Sequence, residues 1–171
     1  GLATGDTQGV LFPGDPIGLN PDELSMGRLL KEAGYATMLV GKWHLGDQPP
    51  FLPTRHGFDE YFGLPYSNDM EPGNTRLIKN RGLEGMPPLP LMDRDAIVEV
   101  QPDQATLTER YTDAARSFIR SHRNEPFFLY FAHMYVHNPL HPPPAFLERA
   151  ENGPYGAEVE CIDWSTGAIL D

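Results

Sequence analysis

Two stretches of this chain carry apolar side chains with no alternation of charged residues: YATMLV at residues 35–40 and FFLYFA at residues 127–132. A strand with one wet face alternates between apolar and polar residues, whereas a strand covered on both faces does not. Unbroken runs of this kind belong to parallel sheets packed between helices. Helical periodicity precedes each run, so the chain reads as an α/β domain with a central, mostly parallel sheet flanked by helices. At 171 residues it has room for one such domain.

The first helix is expected to start at Asn20-Pro21-Asp22-Glu23, with Asn20 as cap and Glu23 at the capping-box position. Met26, Leu29, Leu30 and Ala33 would form its buried face, ending at Gly34. A second helix is expected from Thr106, with Glu109 at the capping-box position. Its buried face would be Leu107, Tyr111, Ala114, Ala115, Phe118 and Ile119, and it would end before Pro126. Tyr155, Val159, Ile162, Thr166 and Ile169 mark the face of a third. Between residues 45 and 105 no regular element is legible. With 18 prolines and 17 glycines in the chain, that stretch reads as a long loop-rich insertion.

Composition narrows the function. A net charge of −11, with only 13 scattered lysines and arginines, argues against a nucleic-acid partner. The apolar runs are far shorter than the roughly 18 residues of a membrane span. One cysteine, Cys161, excludes an internal disulfide framework and a multi-cysteine metal site; placed on a helix, it reads as a core thiol.

Both apolar runs lead into titratable groups. The first continues as Gly-Lys-Trp-His and the second into His133 and then His137. Ligands of open parallel sheets sit beyond the carboxyl ends of the strands. Taken singly, a lysine or histidine near a strand end is more often a solvated bystander than a ligand. Lys42 and His44, however, share one side of an extended chain, with Trp43 on the other. A lysine beside a buried strand is stabilised by a nearby anion, at about 4 kcal/mol for 4 Å and an effective dielectric near 20. The pattern therefore points to an anion pocket. Trp43, Phe127, Phe128 and Tyr130 read as core aromatics, His56 as part of a packed turn, and Asp69, Glu71 and Asp103 as solvated carboxylates.

The stretch GYATMLVGKWHLG (residues 34–46) resembles the second signature of the type I, formylglycine-dependent sulfatases. FLPTRHGFDEYFGLPYSND (residues 51–69), PFFLYFAHMYVHNPLHPP and GPYGAEVECIDWSTGAIL resemble, in order, later segments of the arylsulfatase A and N-acetylgalactosamine-6-sulfatase branches. The resemblance implies an alkaline-phosphatase-like sulfatase domain, present in part at residues 1–171, and hydrolysis of sulfate monoesters by the parent protein. It implies that Lys42 bridges the formylglycine and the sulfate, and that His44 hydrogen-bonds the formylglycine hydroxyl and acts as base when sulfate is expelled. It also implies that His137 contacts sulfate and helps protonate the leaving alcohol, and that Ser67 lines the sulfate pocket. His141, close to His137, is a candidate for a substrate subsite.

The formylglycine motif, Cys-x-Pro-x-Arg or Ser-x-Pro-x-Arg, does not occur here, nor does the family's Asp-Asn-Gly. The resemblance therefore implies an internal fragment, inactive alone, with the nucleophile and the calcium ligands supplied by other segments and no metal site within it. Expected partners are a sulfated small molecule, lipid or glycan, and the family implies export from the cytosol. Two other readings stay open: a phosphodiester or phosphonate monoester hydrolase of the same superfamily, and a non-catalytic sulfatase-like binding protein.

Overall fold

The computed structural model describes residues 9–74, Lys79 and residues 85–171. Strand β1 (Ala36–Lys42) has its five central residues buried, as a run without alternation requires. It lies between β2 (Glu60–Leu64) and β5 (Phe127–Ala132), parallel to both. Strands β3 (Pro90–Asp93) and β4 (Ala96–Val100) add an antiparallel extension, giving the order β4-β3-β2-β1-β5.

Successive residues of β1 serve opposite faces of the sheet. Met38 and Val40 join the larger core beneath helix α2 (Leu107–Ser121), with Leu64, Leu91, Tyr111 and Phe118. Leu39 joins a smaller core with Trp43, Leu52, Phe58 and Tyr61. Helix α1 (Met26–Glu32) precedes β1, and a short α3 (Pro144–Leu147) precedes the long α4 (Gly153–Leu170). No helix among the described residues is long and apolar enough to cross a membrane.

Several sequence expectations fail for identifiable reasons. Helix α1 starts at Met26 with Ser25 as its cap; the Ser25 side chain accepts from the Arg28 N–H at 3.0 Å and donates to the His56 carbonyl at 2.5 Å. Asn20 instead closes a local turn by accepting from the Asp22 N–H. The expected apolar face is turned outward, with Met26 65% and Leu29 52% exposed. Gly27 makes the contact: a Cβ there would lie 3.0 Å from the His56 carbonyl and the Phe58 ring.

The capping box expected at α2 is not formed, because both the N–H and the hydroxyl of Thr106 bond the Asp103 carbonyl. In α4 the buried residues are Ala157, Glu158, Cys161 and Ser165, while Tyr155 and Val159 face out. Small side chains there let α4 approach α2 closely enough for the Thr112 and Ser165 hydroxyls to bond at 2.7 Å.

The stretch read as an unstructured insertion holds β2, β3, β4 and the 3-10 turns Pro49–Phe51 and Pro53–Arg55, apart from residues 75–78 and 80–84, which lie outside the described residues. Strand β5 is only half buried, with Tyr130 50% exposed, and it is an edge strand among the described residues.

Candidate functional site

The parallel strands end close together. Gly41 has φ +103°, and a Cβ on it would sit 1.9 Å from the Ala132 carbonyl oxygen of β5. A Cβ on Gly63 of β2 would meet the Gly41 carbonyl oxygen at the same distance. Only glycine admits this approach, and it draws together the three loops that leave β1, β2 and β5.

A cleft of about 260 Å³ opens there, lined by Lys42 and His44 after β1, Ser67, Asp69 and Met70 after β2, His137 after β5, and Val10 and Phe12. Lys42, His44, Ser67 and His137, separate in sequence, thus face one space. Lys42 and His44 meet by a different route from strand alternation. The strand stops at Lys42, and His44 takes a left-handed backbone, φ +58°, its N–H bonded to the Pro65 carbonyl. Trp43 points the other way, into the smaller core, and its Nε1–H donates to the Phe51 carbonyl at 2.8 Å.

His44 Nε2 lies 3.1 Å from the Leu11 carbonyl. A carbonyl only accepts, so Nε2 carries the proton in this bond and Nδ1 holds the free lone pair. Burial lowers the His44 pKa below 6.5; the Leu11 bond raises it, Lys42 lowers it, and Asp69 and His137 act in opposite directions. The ring is therefore a neutral base at pH 7.

Ser67 is buried, and its Oγ has no hydrogen-bond partner. Such an orphan is costly, and a ligand oxygen in the cleft would satisfy it. The neighbouring Asn68 fixes this turn: its Nδ2 donates to Gln104 Oε1 at 2.9 Å, and Gln104 Nε2 donates to the Asn68 carbonyl at 3.2 Å.

Asp69, expected to be solvated, lines the cleft with a buried, unpartnered Oδ1. Its position two residues after Ser67 was the available signal. Asp69 also borders an adjoining cavity of about 290 Å³, shared with Glu71, Asn74, Asn138 and Pro139 among others. His137 is exposed at the cleft. His141 is not part of the lining: its N–H donates to Glu158 and its carbonyl accepts from Tyr135. His56 is fully buried, 5.7 Å from the Trp43 ring, and His133 packs edge-on against Phe131. Cys161 is buried and its thiol pKa is pushed up to about 11, first by burial.

Among the described residues no group of three or more His, Cys, Asp or Glu side chains could hold a metal ion. The cleft sets the Lys42 ammonium and the Ser67 hydroxyl, both able to donate to an anion, and two histidines beside the Asp69 carboxylate.

The sequence model of the Sulfatase family matches residues 4–171. The chain is 38% identical over 167 residues to N-acetylgalactosamine-6-sulfatase of Homo sapiens, covering 93% of this chain and 31% of that protein. It is 34% identical over 173 residues to arylsulfatase A of Bos taurus, covering 95% and 34%. A solved structure of Ps i-CgsB in complex with k-i-k-neocarrahexaose superposes with a TM-score of 0.72 at 28% identity, over 94% of this chain and 38% of that one. The chain thus spans about a third of the length of these relatives. A cleft with an anion's donors at the carboxyl ends of parallel strands, and a family match running through almost every residue, lead to one conclusion: this chain belongs to the sulfatase family.

Proposed function

We propose that these residues form one wall of the active site of a hydrolase that cleaves sulfate monoesters. The observation that carries this reading is the convergence of Lys42, His44, Ser67 and His137 on a single cleft. Lys42 offsets the charge of the bound sulfate, and the Ser67 hydroxyl donates to one of its oxygens. His44, neutral with Nδ1 bare, would act as base toward the formylglycine hydroxyl when sulfate is expelled. His137, open to solvent at the cleft, delivers a proton to the departing alcohol. The nucleophile, a formylglycine in this reading, and calcium belong to other parts of the parent protein. Calcium, when bound, would polarise the sulfate.

The adjoining cavity receives the alcohol. Its carboxylates and amides suit sugar hydroxyls, and its lining holds no cation among the described residues. A neutral glycan alcohol fits it better than a second anion would. The test is turnover by the full-length protein of a sulfated glycan, an aryl sulfate and an aryl phosphate, with and without Lys42→Ala. Sulfate release that drops at least about 100-fold in the variant is expected. Preferred cleavage of the phosphate would point instead to a phosphoester hydrolase, and tight sulfate binding without turnover to a binding protein.

A further inference from the structure

Helix α4 carries a carboxylate in an expensive place. Glu158 is 0% exposed, beside Tyr135 and Cys161, and its Oε2 is buried without a hydrogen-bond partner. An apolar side chain of similar size would be more stable there. Burial pushes its pKa up to about 7, only partly opposed by the bond from His141.

What the carboxylate does is hold a peptide. Glu158 Oε1 accepts from the His141 N–H at 2.7 Å, and the Tyr135 hydroxyl donates to the His141 carbonyl at 2.6 Å. Tyr135 is itself buried, at 8% exposure. The backbone at His141 is thereby fixed on both sides, once to a core helix and once to the start of its own loop. His137 lies between Tyr135 and His141, on the span that the Tyr135 bond closes and that the Glu158 bond ties to α4. An exposed histidine on an irregular loop needs such anchors if its ring is to meet a reacting atom repeatedly.

We propose that Glu158 and Tyr135 are positioning residues that clamp the His141 peptide and so hold His137 at the cleft. The proposal rests on the sulfatase reading for its kinetic consequence, but not for its structural one. In the full-length protein, Glu158→Met keeps the volume and removes the acceptor. It should leave thermal stability equal or higher and yet lower kcat about 10- to 100-fold, with KM within about threefold. Glu158→Gln, whose amide oxygen still accepts the His141 N–H, should recover most of the rate. Tyr135→Phe, which deletes only the second bond, should reproduce the loss; it decides the matter if Glu158→Met does not fold.

Two readouts need no turnover: amide exchange at His141 should accelerate at least about tenfold in Glu158→Met, and the His137 ring signals in the NMR spectrum should shift. If the wild type hydrolyses no sulfate ester, these two still decide the clamp. Unchanged His141 exchange and His137 signals would overturn it, as would a Glu158→Met enzyme with wild-type kcat.

Discussion

His44 shows how local environment selects a chemical role. Its Nε2–H is engaged by Leu11 and its pKa lies below 6.5, chiefly through burial. A base works when deprotonated, so kcat of the full-length protein should fall only as pH drops below 6.5, and the low-pH limb should lie under the value of a free imidazole. His44→Asn should lower the rate at least about 100-fold and remove that limb; a pH–rate profile of both proteins checks it. Burial could not be read from Gly-Lys-Trp-His, although the pairing of Lys42 with His44 could. Asp69 was missed because its role depends on which loop lies opposite, and a single carboxylate in a polar loop carries no periodic signal.

At the scale of elements, what the sequence displays is large apolar side chains, and what the fold often uses is small ones. The unbroken runs of β1 and β5 were legible because a strand within a parallel sheet has few other patterns. The faces of α1 and α4 were misread because Gly27 and the Ala157–Cys161–Ser165 stripe set the closest approach, while Met26, Leu29, Tyr155 and Val159 lie outside it. The β3–β4 hairpin turns at Arg94-Asp95, with Arg94 at φ +52°, and lacks the Asn-Gly or Asp-Gly that would have announced it.

Two outcomes belong to this scale. Gly41→Ala puts a methyl into the Ala132 carbonyl at an unfavourable φ, so it should cost at least about 3 kcal/mol in chemical denaturation. Glu158 gives a pH dependence. The folded carboxyl keeps its proton up to about 7, whereas an unfolded one releases it near 4.5. Between these values the folded state binds more protons, so stability falls as pH rises and levels off above 7. Glu158→Gln should flatten that decline, a difference on the order of 3 kcal/mol between pH 4 and pH 8, read from denaturation midpoints.

For the whole molecule, membership of the sulfatase family was legible because the chain's motifs follow one another in order, whereas the outline of its sheet was not. The outer edge of β5 is open among the described residues, and Tyr130 stands half exposed on the face of that strand, beside Phe58. An uncovered apolar strand edge is a template for pairing with another chain. The isolated 171 residues should therefore self-associate at high concentration, and Tyr130→Lys should reduce it; light scattering over a dilution series would show the difference.

The pairing of Ala36 with Phe127 has a further consequence, for the order of events in time. About ninety residues of chain must be gathered before β1 can find β5, and contacts so distant in sequence are the slowest to form. Lys42 and His137 hang from the ends of those two strands, so the cleft is completed only once this long-range register is in place. Affinity for inorganic sulfate should consequently lag behind the recovery of helical signal during refolding, which would make sulfate binding a clock for the final step of folding.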